Sequence, residues 1–295
     1  MSVVLVTGAA GAVGSEIVKT LDQAGLMVVA LDTMALPALS ARGVSVQADL
    51  LGSDWRDALK GVKPQVIVHC AARLPRTSSA EEDALSASVN RKLDDQIINY
   101  ASENSCRLLY ASGTSVYGLS DDFCDENRAP CPQSLYVKAK WETEKKIELL
   151  VPNHIILRLS SPYSPAQRAK IVLHKFIDNA LSNLDLTYFG SGLREQDFIA
   201  AQDVARAIEC VIQKPNVCGI FNIASANPIS MRDLAHLVVK WLPASTSRVV
   251  AADQIDPQEH YRPRFDITKA RSVLGWAPQV DIEDGVRLLI QTRKK

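Results

Sequence analysis

Tyr136 and Lys140 stand four residues apart, a spacing that puts both side chains on one face of a helix. A free tyrosine, with a pKa of about 10, is a poor base near neutrality. A lysine ammonium within a few ångströms favours the phenolate and lowers that value by about 1–3 pH units. Such a pair can exchange a proton with a substrate hydroxyl. Upstream lies the hydroxyl-rich run Ser112-Gly113-Thr114-Ser115. One of its side chains can bond the substrate oxygen and steady an alkoxide-like transition state.

Proton exchange at a hydroxyl becomes redox chemistry when a hydride acceptor is near, and the N-terminus offers a place for one. Gly8-Ala9-Ala10-Gly11-Ala12-Val13-Gly14 lies between the β-branched run Val3–Val6 and a helical pattern from Val13 to Ala24. In that context Gly8 permits a tight turn, Gly11 the close approach of a pyrophosphate, and Gly14 contact between helix and strand. The backbone of Ala10, Gly11, Ala12, Val13 and Gly14 is expected to face the phosphates at the positive end of the helix. Asp32 closes the next apolar run, 18 residues past Gly14, where an acid can accept both adenosine ribose hydroxyls. Its charge repels a 2′-phosphate and Thr33-Met34 brings no cation, so NAD is expected rather than NADP.

These residues need a scaffold. Apolar runs at 26–31, 44–48, 66–68 and 107–111 alternate with helical patterns, among them a short helix opened by Ser53 and Asp54 and ending near Gly61, a long stretch around Asn90, and 134–150. That alternation predicts an α/β fold, a doubly wound parallel sheet of the Rossmann type. Ile155–Leu159 reads as a further strand. Beyond Pro162 the pattern becomes mixed: a helix from about Ala169 to Leu181, a strand near Leu184–Phe189, and helices near 203–213, 231–241 and 282–292. The expected division is an NAD-binding domain over 1–160, with a return near 196–224 that includes a buried strand at Gly219–Ala224, and a smaller mixed α/β substrate domain over 161–295.

The chain has 295 residues, 47% of them hydrophobic, and 33 basic side chains against 33 acidic. Zero net charge argues against electrostatic capture of nucleic acid or of an anionic membrane surface. No apolar run approaches the roughly 18 residues of a membrane span, and the N-terminus lacks the pattern of a secretory signal. Six scattered cysteines with no Cys-x-x-Cys pair read as reduced thiols of a cytoplasmic protein. His154, His174, His236 and His260 are too dispersed for a metal site.

The ordered set of motifs resembles the extended short-chain dehydrogenase/reductase family, in its NAD-dependent epimerase/dehydratase branch, over nearly the whole chain. The glycine turn at 8–14, Asp32, Asp49-Leu50, His69-Cys70-Ala71-Ala72, Asn90, Val116-Tyr117-Gly118 and Tyr136-x-x-x-Lys140 carry the likeness. Later come Leu157-Arg158, Gly190-Ser191-Gly192, Asp197-Phe198, Asp203-Val204-Ala205, Phe221-Asn222-Ile223 and Leu274-Gly275-Trp276-x-Pro278. The resemblance implies contact of Asp49 and Leu50 with adenine, and cofactor contacts from Cys70, Ala71, Ala72 and Asn90. It also implies that Lys140 holds the nicotinamide ribose, that the substrate is a nucleotide sugar, and that the chain forms a homodimer through the helices bearing Asn90 and Tyr136.

The departures shape the expectation. Gly113 occupies the place of the family's usual catalytic Ser or Thr, so Ser112 or Thr114 takes the role, with Ser112 favoured by the resemblance. Thr114-Ser115 replaces the Asp-Glu pair of the 4,6-dehydratase relatives, which speaks against water elimination. On the substrate side Ser161 stands for the family Asn and Gln196 for an arginine that binds diphosphate, leaving Arg194, Arg262 and Arg264 as cations; Ser161, Arg194 and Arg264 are the expected substrate contacts. The expected activity is NAD-dependent oxidation of a sugar hydroxyl with Tyr136 as base, leading to epimerisation if the ketone is reduced again from its other face. The alternatives are a net dehydrogenase or 4-keto-sugar reductase, and a non-catalytic NAD sensor on the same fold.

Overall fold

Strand β1 (Val3–Thr7) lies inside a seven-stranded sheet in which every ladder is parallel. The computed structural model describes residues 2–294 except 37, 41, 53–54, 60, 120–121 and 168–170. The other sheet strands are β2 (Met27–Asp32), β3 (Val44–Gln47), β4 (Val66–His69), β5 (Arg107–Gly113), β6 (His154–Leu159) and β7 (Gly219–Ile223), in the spatial order β7-β6-β5-β4-β1-β2-β3. The order reverses beside β1, which has β4 on one side and β2 on the other. In a sheet of this kind the crevice for a ligand opens at that switch point, beyond the carboxyl ends of the strands. The expected strand at 219–224 does pair with β6, so residues far along the chain complete the sheet.

Both faces are covered, which explains strands without polar alternation such as Val66-Ile67-Val68. On one face lie α1 (Ala12–Gln23), through Ile17, Val18 and Leu21, and α5 (Ala201–Ile212), through Val204, Ile208 and Val211. The other carries α2 (Ala80–Glu103), through Ile97, Ile98 and Ala101, and α3 (Leu135–Leu150), through Ile147. A third apolar cluster joins α4 (Val172–Leu181), α6 (Met231–Lys240) and α7 (Ile282–Arg293) through Phe176, Leu234 and Leu289.

Ser53, Asp54 and Ala169, expected as helix starts, lie outside the described residues; the helices run Trp55–Ala58 and Val172–Leu181. Pro162, beyond which the mixed pattern begins, lies in a short strand, Ser161–Tyr163, paired in parallel with Phe198–Ala200. A proline lacks only its N–H, and a two-stranded ladder at an edge tolerates that loss.

Candidate active site

The turn after β1 is shaped by two close approaches. Gly8 has φ +68°, and a Cβ there would lie 2.6 Å from the Ala71 nitrogen. At Gly14 a Cβ would run into the Gly8 carbonyl, so helix α1 can reach the strand only because both positions are glycine. Gly11 caps α1 with no side-chain hydrogen bond, which leaves the first-turn amides of Ala12, Val13 and Gly14 as donors without a side-chain cap. Asp32 sits opposite: its Oδ2 accepts from the Ala10 amide at 2.9 Å and its Oδ1 from the Met34 amide at 3.0 Å.

These groups line a cavity of about 500 Å³ with Cys70 and Ala72 after β4, Ser112 at the end of β5 and Thr114 just after it, and Tyr136 and Lys140 on α3. Uncapped helix amides, an acid at the end of β2 and a glycine turn held tight against helix α1 fit a dinucleotide of the NAD type. Asp49 and Leu50 are not among the lining residues: Asp49 accepts from the Leu51 amide and Leu50 is buried in the sheet core. Ala71 backs the Gly8 turn, and Asn90 is turned to the backbone of Arg73, accepting from its amide at 2.7 Å and donating to its carbonyl at 2.9 Å. Met34, Leu74, Gln167 and Ile171 line the cavity without having been singled out by sequence.

The catalytic helix is set by its N-terminus. Ser134 accepts from the Val137 amide, and Asp83 of α2 reaches across to accept from the amides of Leu135 (2.6 Å) and Tyr136 (3.1 Å). Lys140 then donates from Nζ to the Ala111 carbonyl at 3.0 Å and lies 4.6 Å over the ring of Tyr110. Burial pushes the Tyr136 phenol above its ordinary value; the Lys140 charge opposes that rise and Asp94 adds to it. The lysine therefore acts in the direction expected from spacing, but burial outweighs it. Burial likewise pushes the Cys70 thiol, which faces the same cavity, up to about 12, against the pull of Lys140.

The two candidate hydroxyls are placed differently. Ser112 donates from Oγ to Glu144 Oε1 at 2.5 Å. Glu144 is also paired with Arg158 at 2.6 Å, both side chains being almost fully buried. Glu144 follows Lys140 by four residues, so the α3 face that carries Tyr136 and Lys140 continues into this ion pair; that spacing was the signal available in the sequence. Thr114 borders the dinucleotide cavity and also a second one of about 330 Å³. Ser161 borders both as well, its hydroxyl accepting from Gln196 Nε2.

The second cavity is lined by Gln133, Gln258, Tyr261 and Phe265 beside Arg194, Glu195 and Asp197. Its arginine is engaged: Arg194 donates to Asp256 at 2.8 Å. Arg264 lies outside this lining and donates to Glu195 at 2.6 Å, and Arg262 stands 3.7 Å from the same carboxylate. The expected substrate cations are thus matched by carboxylates that the sequence reading did not connect to them.

The sequence model of the NAD dependent epimerase/dehydratase family matches residues 4–224. The UDP-glucose 4-epimerase of Mycolicibacterium smegmatis is 27% identical over 319 aligned positions, covering 97% of each chain. The dTDP-4-dehydro-6-deoxyglucose reductase of Escherichia coli is 26% identical, covering 98% of this chain and 96% of its own. Among solved structures, the UDP-glucuronic acid 4-epimerase of Bacillus cereus with UDP-glucuronic acid and NAD superposes with a TM-score of 0.87 at 26% identity, over 99% of both chains. With a family match over most of its length and a dinucleotide crevice at the switch point of its sheet, this chain belongs to the NAD dependent epimerase/dehydratase family and is an NAD-dependent enzyme.

Proposed function

We propose that the protein epimerises a nucleotide sugar by oxidising one of its hydroxyls and reducing the ketone again from the other face. The observation that carries this reading is the position of the catalytic face at the junction of two cavities. Tyr136 and Lys140 line the dinucleotide cavity, and Thr114 and Ser161 border both it and the second. A sugar at the junction meets the phenol, while its nucleotide extends along Gln133, Gln258 and Tyr261. Relatives named as UDP-sugar epimerases support the substrate class.

NAD, when bound, accepts a hydride from the sugar carbon and returns it. Everything else is done by the chain. Tyr136 Oη takes the hydroxyl proton and gives it back. Lys140 steadies the phenolate and is placed to hold the nicotinamide ribose. Thr114 orients the substrate oxygen, because the Ser112 proton is already donated to Glu144. Asp32 receives the adenosine ribose hydroxyls. A diphosphate would have to compete with Asp256 for Arg194, and with Glu195 for Arg262 and Arg264.

The test is a screen of UDP-, dTDP-, GDP- and CDP-sugars with exhaustively dialysed protein. The expected result is interconversion of two epimers with nicotinamide retained on the protein. Stoichiometric NADH release would instead make the enzyme a net dehydrogenase. In the same assay Tyr136→Phe should lose about 10²–10⁴-fold in kcat while keeping its affinity for NAD; undiminished turnover would remove Tyr136 from the mechanism. We further propose that residues 161–295, without the return strand, form the substrate-binding part, that the chain works in the cytoplasm with all six cysteines as free thiols, and that it forms a homodimer through α2 and α3, which light scattering would decide.

A further inference from the structure

Beneath the catalytic pair lies a buried polar cluster that the proposed reaction does not use. Asp94, in the middle of α2, is 1% exposed. Its Oδ1 accepts from His69 Nε2 at 3.0 Å, and its Oδ2 accepts from the hydroxyls of Tyr110 (2.9 Å) and Thr143 (2.7 Å). The far side of the imidazole sets the order of protons. The Ala71 amide donates to Thr7 Oγ1 at 3.4 Å, and the Thr7 hydroxyl lies 2.6 Å from His69 Nδ1. With its own proton given to Nδ1, Thr7 leaves the Nε2 proton of His69 for Asp94. Asp94 thus receives three donors, and an ionised carboxylate is the form that only accepts. Burial works against that charge, but His69, the Lys140 charge and Thr143 outweigh it and hold the Asp94 carboxyl below its ordinary range.

Tyr110 links this anion to the active site. Its hydroxyl is on Asp94 and its ring face lies 4.6 Å from Lys140 Nζ. The ammonium stays in place through the Ala111 carbonyl, so one buried cation serves two anions, the permanent one at Asp94 and the transient phenolate at Tyr136. Charges act more strongly on one another in a dry interior than in water, and the field of the Asp94 anion adds to that of the ammonium with the opposite sign, so at Tyr136 it offsets part of what Lys140 gives the phenolate.

We propose that Asp94 tunes the catalytic pair from beneath, its buried charge offsetting part of the ammonium's field at the phenol and so limiting how readily Tyr136 gives up its proton. This rests on Tyr136 and Lys140 being the acid–base pair. The other ionisable groups nearby are accounted for. Asp83 of α2 binds the Tyr136 amide, the Cys70 thiol after β4 is held neutral by burial, Tyr110 of β5 is pushed well up by burial and by Asp94, and Glu144 of α3 is balanced by Arg158 of β6.

The experiment is a titration of ultraviolet phenolate absorbance, with and without NAD, in which subtraction of the Tyr136→Phe variant isolates the Tyr136 signal. Asp94→Asn removes the charge at nearly constant shape, and Asp94→Thr removes it with a smaller side chain should the first fold poorly. Each should lower the Tyr136 midpoint by about 0.5 pH or more, a threefold gain in phenolate on the rising limb. Thr143→Val keeps the charge and removes one donor; it should lower the melting temperature and leave the midpoint where it was. An unchanged or raised midpoint in Asp94→Asn or Asp94→Thr, or an equal shift in Thr143→Val, overturns the proposal. Turnover of Tyr136→Phe on the UDP-sugars separates the two levels of failure. Full activity there overturns the acid–base pair itself, whereas an inactive Tyr136→Phe with an unmoved Asp94→Asn midpoint overturns only the part given to Asp94.

Discussion

A phenol buried beside a lysine is under two opposed influences, and at Tyr136 burial wins. The sign of its pH dependence follows. Because the phenol lies above its ordinary value, the base form grows as pH rises, so hydroxyl oxidation should accelerate from pH 7 to 9, while carbonyl reduction, which needs the phenol as acid, should not gain; stopped-flow NADH absorbance in each direction checks this. The two hydroxyls separate in the same assay. Thr114→Val should cost about 10–100-fold in kcat. Ser112→Ala should cost less in rate and more in stability, since it removes one of the two donors to a buried Glu144 oxygen. Across the second cavity Glu195→Gln should release Arg262 and Arg264 to an anion, lowering the KM for a UDP-sugar, with the gain shrinking at high salt. An unchanged KM would show that the diphosphate does not approach these arginines.

At the scale of elements, what matters is how two helix N-termini are finished. Helix α1 is left without a side-chain cap and points its first-turn amides at the cofactor cavity. Gly14→Val would force its Cβ into the Gly8 carbonyl, so NAD affinity measured by fluorescence should fall by more than 10-fold (about 1.4 kcal/mol) with far-ultraviolet circular dichroism unchanged. Helix α3 is capped twice, by its own Ser134 and by Asp83 of α2. Hydrogen bonds from the Tyr136 and Leu135 amides outweigh burial and hold the Asp83 carboxyl below its ordinary range. Its contribution is therefore present above the unfolded value and is lost as pH falls through the depressed one. Asp83→Ala should cost about 1 kcal/mol at neutral pH and progressively less in acid, read from urea unfolding at several pH values.

The whole molecule is held together by a few side chains that bridge distant segments. Arg107 at the start of β5 donates to the carbonyls of Val211, Lys214 and Val217, tying the end of α5 to the sheet. Asn222 of β7, fully buried, donates to the Cys124 and Asp266 carbonyls and accepts from the Tyr117 hydroxyl. Asn222→Ala would take a donor from both carbonyls and the acceptor from the Tyr117 hydroxyl and should cost about 3 kcal/mol, read as a lower urea midpoint. The alternation of strands and helices, the glycine turn with Asp32, and the four-residue step from Tyr136 to Lys140 were legible in the amino-acid order because each is a local pattern, decided by steric and hydrogen-bonding preferences within a few residues. The Asp94 cluster, the Ser112–Glu144–Arg158 chain and the carboxylates on Arg194 and Arg264 join residues 14 to 69 positions apart. Their partners were chosen only when strand register and helix packing brought those positions face to face, and no spacing along the chain encodes that choice.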